Sequence, residues 1–195
     1  MRIFLIVALL GFCSEINAQK YFDDFEIGYR HTLTYPEYKV VFQAQQTNQI
    51  VKVIAPEKTY WWFSNNQIQT TQGGYSGKLL HGEYTVFYAN KNLKEQGHFI
   101  MGLKDGLWKN WNESGVLVSQ YTFKAGIANG DYFVYDAKGK LIELGKNKNG
   151  KIDGEQQRYI ADSVVKVKYK NGIPLTNKDW LKRLFVKNRH TKPSI

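Results

Sequence analysis

Gly106-Leu107-Trp108-Lys109-Asn110-Trp111 begins a pattern that returns every 24 residues along this 195-residue chain. The leading glycines are Gly82, Gly106, Gly130 and Gly154. The residues two positions after these glycines are Tyr84, Trp108, Tyr132 and Gln156. The residues five positions after them are Phe87, Trp111, Tyr135 and Tyr159. The residues eleven positions after them are Leu93, Leu117, Leu141 and Val165. A second glycine set, Gly102, Gly126, Gly150 and Gly172, closes the units. A fixed period of this length is typical of repeat architectures.

Turn chemistry indicates what one unit is. An Asp-Gly or Asn-Gly pair before three of the units supplies the positive φ values of a two-residue type I′ hairpin turn. A second turn is predicted within each unit, at residues 89–92, 112–115 and 136–139. The runs between these turns are rich in Tyr, Phe, Trp, Val and Thr, which favour strands. The sequence therefore predicts an all-β protein, an array of antiparallel β-hairpins that forms an elongated twisted sheet over residues 58–172.

The two aromatic positions of a unit raise a question about the faces of this sheet. They are three residues apart, so a regular strand would send them to opposite faces. Either both faces are covered, or a β-bulge turns one of the side chains. The sequence leaves both alternatives open.

The region before the four clear units contains weaker copies of the pattern. Tyr60 and Phe63 fall in the 24-residue register, and Asn65-Asn66 offers a turn between two strands. Residues 38–44 and 50–54 read as further strands. Residues 19–57 are therefore predicted to be an N-terminal β extension of decayed repeats, with a small cap as the alternative.

Residues 1–18 have the layout of a signal peptide. Arg2 is followed by an apolar run of ten residues and then by a polar stretch that ends in Ala18. We expect cleavage after Ala18, which would remove Cys13, the single cysteine of the chain. The expected location is exported: periplasmic, outer-membrane-associated or secreted.

The C-terminal segment, 173–195, differs from the array. Thr176 to Asp179 forms a capping-box pattern, which predicts the start of a short α-helix. Its two faces carry apolar Trp180, Leu181, Leu184 and Phe185, and basic Lys182 and Arg183. The helix is interpreted as a cap on the open end of the sheet, and the alternative is a basic amphipathic helix that touches an anionic membrane or a partner.

The sequence offers little catalytic chemistry. The four histidines show no metal-ligand spacing, and there is no phosphate-binding loop, dinucleotide fingerprint or nucleophile elbow. We therefore predict no catalytic residue, no cofactor, no metal and no small-molecule substrate. The formal charge is +10, and half of the excess lies in residues 173–195, with six basic residues against one acidic. That distribution is unlike a concentrated nucleic-acid footprint, so no nucleic-acid partner is expected.

The units resemble MORN repeats, specifically the bacterial variant with the pattern Gly-x-[Trp/Tyr]-x-x-[Tyr/Trp]-x-x-x-Gly-x-Leu. The stretch from Gly106 to Leu117 matches best, while Lys91 replaces a glycine in the unit before it and Gln156 replaces an aromatic residue in the last. The resemblance implies a non-catalytic interaction or structural module. Many bacterial members carry the label of a YwqK-type toxin–antitoxin antitoxin, and eukaryotic members have been linked to membrane lipids.

These observations lead to one preferred function and two alternatives. The preferred function is a non-enzymatic, exported protein-interaction or structural module of the cell envelope, with an unidentified protein partner. The alternatives are binding to a membrane surface through the C-terminal helix, and neutralisation of a toxin. The aromatic residues at fixed phase form either the core between repeats or a partner-binding strip; they are Tyr84, Phe87, Trp108, Trp111, Tyr132 and Tyr135.

Overall fold

The computed structural model describes residues 28–46 and 54–175, and every regular element in that part of the chain is a β-strand. The strands are β1 Tyr29–Thr34, β2 Tyr38–Ala44, β3 Thr59–Ser64, β4 Gln67–Gln72, β5 Lys78–Tyr88, β6 Leu93–Ile100, β7 Leu103–Trp111, β8 Leu117–Lys124, β9 Ile127–Tyr135, β10 Leu141–Lys148, β11 Lys151–Ile152, β12 Gly154–Ile160, β13 Ser163–Lys170 and β14 Ile173–Pro174. The prediction of an all-β array of hairpins is confirmed. The predicted signal peptide and C-terminal helix, and most of the strand predicted at 50–54, lie outside the described residues.

The strands form one open antiparallel sheet. Their order is β1-β2-β5-β6-β7-β8-β9-β10-β12-β13-β14, with β11 paired to β10 and the β3–β4 hairpin off this path. From β5 onward, order in space follows order along the chain, because each hairpin pairs with the next. Before the repeats, the β1–β2 hairpin extends the sheet, since β2 pairs with β5.

The two-residue turns lie elsewhere than the sequence predicted. They are Met101-Gly102, Ala125-Gly126, Asn149-Gly150 and Asn171-Gly172, and all eight residues have positive φ, as type I′ turns require. The turns predicted at Asp105-Gly106, Asn129-Gly130 and Asp153-Gly154 are wrong, because these three glycines belong to strands β7, β9 and β12. Where β7 pairs with β6, and where β9 pairs with β8, three residues of the later strand face one residue of the earlier strand. The strand glycines, at φ values of 70° and 134° in β7 and β9, therefore allow recurrent β-bulges.

The turns predicted at residues 89–92, 112–115 and 136–139 are confirmed. In the second of these, the Gly115 N–H donates to the Asn112 carbonyl and the Asn112 N–H donates to the Val116 carbonyl, both at 2.9 Å. The third turn repeats this pattern. Gly115 takes φ 81°, a left-handed conformation that glycine adopts without strain, whereas Lys91 holds the equivalent position in the first turn at φ 72°.

The β3–β4 hairpin covers one face of the sheet. Its strands and its Asn65-Asn66 turn form as predicted, but β3 pairs with β5 only at Trp62 and Phe63 and then leaves the sheet. The ring of Trp61 packs 5.5 Å from that of Phe99, between centroids. The hairpin encloses a core whose buried residues are Leu33, Val40, Phe42, Ala44, Leu80, Tyr84, Val86, Phe99 and Trp108.

Candidate functional site

The six aromatic residues of the predicted strip divide into two sets. Tyr84, Trp108 and Tyr132 are buried, with exposed fractions of 6%, 1% and 3%. The other three are half-buried: Phe87, Trp111 and Tyr135. The ring of Trp108 lies 5.6 Å from that of Tyr84 and 4.9 Å from that of Phe99, between centroids, inside the covered core. The first set therefore packs in the interior, and only the second can present a surface.

Strand register explains the division. Residues Trp108 to Trp111 pair one by one with β8 until the final step, where Asn110 faces Ser119 and Trp111 faces Leu117. The extra residue, Val118, is on β8, so the alternation within β7 is unbroken. Trp108 and Trp111 consequently point to opposite faces. The bulges of this sheet do not realign the two aromatic residues.

The half-buried set belongs to a larger apolar surface. Phe87 pairs with Leu93, Trp111 with Leu117, and Tyr135 with Leu141, and directly paired residues share a face of the sheet. We name this row the apolar stripe; its members are Phe87, Leu93, Trp111, Leu117, Tyr135 and Leu141. It crosses six neighbouring strands, β5 to β10, which at about 4.8 Å between strands is a length of about 24 Å.

The three leucines of the stripe were recognised in the sequence only as members of the repeat. Each follows its aromatic partner by six residues. That spacing, combined with the confirmed turn between them, was the signal that could have placed them opposite the aromatic residues. The missing information was the location of the extra residue, which decides whether both partners face the same way.

A polar cluster forms around Gln156. In the last unit, this residue occupies the position that the buried aromatic residues Tyr84, Trp108 and Tyr132 hold in the other units. The Gln156 side-chain amide donates to the Tyr132 hydroxyl and to Glu143 Oε1, both at 2.8 Å. The Tyr132 hydroxyl donates to Glu143 Oε1 at 2.9 Å, and Arg158 Nε donates to Glu143 Oε2 at 3.0 Å. Burial is the main cause that raises the pKa of Tyr132 to about 12. The hydroxyl therefore stays protonated at neutral pH and acts as a structural hydrogen-bond donor.

The remaining predicted binding residues lie outside the described part of the chain; they are Trp180, Leu181, Lys182, Arg183, Leu184 and Phe185. Within residues 28–46 and 54–175, no group of three or more His, Cys, Asp or Glu side chains could hold a metal ion. A search of the same residues finds no helix with the length and apolar character needed to span a bilayer.

Comparison with known families gives two adjacent matches. Residues 80–101 and 104–125 each match the family described as "MORN repeat variant". The matched ranges cover most of the β5–β6 and β7–β8 hairpins, and these supply four of the six strands that the apolar stripe crosses. A comparison with curated proteins gives no match. The antitoxin label stays a prediction, whereas residues 80–125 contain two repeats of this MORN variant.

Proposed function

We propose that this protein is a non-enzymatic interaction module that binds a protein partner through the apolar stripe. MORN repeats are commonly protein-interaction or structural modules. The observation that carries the proposal is the alignment of three aromatic residues and three leucines on one face, opposite the face that packs against β3. Aromatic residues are enriched at the centres of protein interfaces, where they supply a large apolar area.

The two faces of the sheet support this assignment. The core face of β5 and β6 is closed by aromatic packing with Trp61, which contacts Tyr84 and Phe99. The stripe face has no such partner ring among the described residues, and its members remain half-buried. A contiguous, partly exposed apolar row on a folded domain is a feature of interaction sites.

A crosslinking experiment tests the proposal. A photoreactive amino acid placed at Trp111 is expected to capture a partner in the native envelope, and one at the exposed Lys148 is not. Unlabelled wild-type protein should compete for the capture, and unlabelled Tyr135→Ser protein should compete less well. Tyr169→Ser makes the same change in a half-buried tyrosine outside the stripe and should compete like the wild type. Equal capture from both positions, or no capture at all, would refute the stripe as the binding surface.

We further propose that the protein acts in the cell envelope after export. The support is the order of a basic start, an apolar run and Ala18 at the N-terminus. Cell fractionation followed by N-terminal sequencing tests this. The expected mature chain begins at Gln19 in an envelope or secreted fraction, whereas a cytosolic chain that begins at Met1 would refute export.

Binding to a membrane surface is a second candidate, favoured by the basic excess in residues 173–195. Anionic lipids attract such segments with about 1 kcal/mol per basic residue near the surface. Flotation with phosphatidylglycerol vesicles should then recover the full chain and lose it after removal of residues 176–195. Equal recovery of both forms would assign the binding to the sheet, and recovery of neither would eliminate this candidate.

A further inference from the structure

A groove of about 520 Å³ lies where the β1–β2 turn meets the β5–β6 turn. Its volume is in the range of small-molecule sites. The lining residues are Thr34, Tyr35, Pro36, Tyr38, Lys39, Phe87, Tyr88, Ala89 and Lys91. Four of these are aromatic, and the rings of Tyr35 and Tyr38 stack with 4.6 Å between centroids. Two are lysines and none is acidic, so the groove combines flat apolar surfaces with positive charge.

The first repeat unit departs from its neighbours at this groove, beginning with Tyr88. The equivalent residues of the next two units, Asn112 and Asp136, cap their own turns. Asn112 Oδ1 accepts the N–H of Val116, and Asp136 Oδ1 accepts the N–H of Lys140, both at 2.9 Å. Tyr88 provides no such cap and lines the groove instead.

Lys91 is the second departure. The equivalent positions in the next two units are Gly115 and Gly139, with φ values of 81° and 84°. Lys91 adopts φ 72°, a conformation that is strained for any residue with a Cβ. Strained residues persist where the surrounding structure or a function requires them. Here the strained position places an exposed lysine in the groove wall.

Lys94 is the third departure. It occupies the bulge position that holds Val118 and Ile142 in the next two units. Its ammonium lies 5.0 Å from the ring centroid of Tyr38 and 5.3 Å from that of Tyr88. A third positive charge is thereby held against two of the aromatic side chains that line the groove.

We propose that this groove binds a small organic anion with a flat apolar body, of the class of aromatic carboxylates. The aromatic walls would stack on the body, and the ammonium groups of Lys39 and Lys91 would pair with the carboxylate. Two positions in this unit, Tyr88 and Lys91, have exchanged turn-forming residues for groove-lining ones, and at a third, Lys94, a lysine replaces the aliphatic residue of the bulge. Two of these three exchanges add a positive charge. A site selected for apolar contact alone would not require the added charges.

Isothermal titration of the full chain with naphthalene-2-carboxylate tests the proposal, with the neutral naphthalene-2-carboxamide for comparison. An exposed ion pair contributes up to about fivefold in affinity, so two lysines predict about tenfold tighter binding of the carboxylate or somewhat more. Equal affinities would overturn the proposal, because they would indicate an apolar occupant such as a peptide side chain. Absence of binding at millimolar concentration would also overturn it.

A variant that restores the repeat pattern separates the groove from the fold. Tyr88→Asn, Lys91→Gly and Lys94→Val together give this unit the residues of the next one, Asn112, Gly115 and Val118. We expect at least tenfold weaker binding of naphthalene-2-carboxylate with an unchanged or higher thermal midpoint. Retained affinity in the folded variant would overturn the proposal.

Two further variants complete the test. Lys39→Gln changes one exposed lining residue without altering the turn, and it should weaken binding about two- to fivefold. If the restored variant fails to fold, this single change still decides the outcome. Lys138→Ala with Lys140→Ala removes two charges from the exposed turn of the third unit and should leave the affinity unchanged. A loss of affinity in this control equal to that of Lys39→Gln would show that net charge alone is responsible.

Discussion

Asp105 Oδ2 accepts a hydrogen bond from the backbone N–H of Ala125 at 2.8 Å. The carboxylate of one strand thus caps the type I′ turn that lies twenty residues further along the chain. The same device recurs between Asp153 Oδ2 and the N–H of Asn171 at 3.1 Å. Residues that read as turn formers in the sequence are therefore the side chains that hold a neighbouring turn in place.

Removal of this cap should destabilise the array. Asp105→Ala leaves the partly buried Ala125 N–H without its acceptor, and the expected loss is about 1–2 kcal/mol in the free energy of unfolding. Urea unfolding measures it. Asp105→Asn keeps an acceptor oxygen, and an asparagine, Asn129, stands at the equivalent position of the next unit, so this substitution should lose clearly less stability. Equal effects of the two substitutions would contradict the capping role.

Gly97 should tolerate no side chain, because a Cβ built there would lie 2.2 Å from Cδ2 of the buried Trp108. Gly97→Ala is expected to cost about 3 kcal/mol and to change the tryptophan fluorescence of the folded state. Gly74→Ala is the matched control, since nothing lies within 4 Å of its added Cβ. It should change stability by less than about 0.5 kcal/mol. A Gly97→Ala protein as stable as this control would refute the close packing.

The left-handed position of the first turn predicts a stabilising substitution. Lys91→Gly relieves the strain at φ 72°, and after the entropic cost of glycine the expected gain is about 0.5–1 kcal/mol. The reverse change, Gly115→Lys, places a side chain at φ 81° and should lower the thermal midpoint. Differential scanning calorimetry measures both. Shifts of the same sign would contradict the equivalence of the two turns.

His31 should make the packing of the β3–β4 hairpin sensitive to acid. Its ring lies 5.2 Å from that of Phe42 in the sheet and 4.6 Å from that of Phe63 in the hairpin, between centroids. Burial, and secondarily the charge of Lys78, lower the pKa of His31 below its ordinary value. The unfolded chain therefore binds the proton first, and the free energy of unfolding falls as the pH drops below about 6.5.

Urea unfolding between pH 7.5 and pH 5, followed by tryptophan fluorescence, measures this effect. His31→Phe keeps an aromatic ring between Phe42 and Phe63 but cannot be protonated, so its stability should depend less on pH in this range. If both proteins lose stability at the same rate on acidification, His31 is not the responsible group.

The sequence predicted the repeat, the strands and one class of turn, because these depend on neighbouring residues. The turns at residues 112–115 and 136–139 are examples, since a glycine and an Asn or Asp determine their geometry locally. It misplaced the type I′ turn at Ala125-Gly126 because Asp-Gly is a stronger local signal than Ala-Gly. In the folded chain, the Asp105 side chain bonds to the Ala125 N–H, and this long-range contact reverses the local preference.

The division of the aromatic residues required the register between strands. Trp108 and Trp111 both occupy recurring aromatic positions of the repeat, yet Trp108 is enclosed in the core and Trp111 lies on the apolar stripe. Their opposite orientation depends on the presence of Val118 as the extra residue on β8 rather than on β7. A one-residue shift turns every subsequent side chain to the other face, and composition carries no information about such a shift.

Local sequence signals are sufficient to predict a repeated array of hairpins, since glycine conformation and alternating apolar residues act over short distances along the chain. Contacts between distant parts of the chain are needed to explain why the hairpin of residues 59–72 leaves the array and covers one face. That placement depends on the packing of Trp61 against Tyr84 and Phe99, which are distant in sequence. The same packing leaves the opposite face, with Phe87, Trp111 and Tyr135, available for a partner.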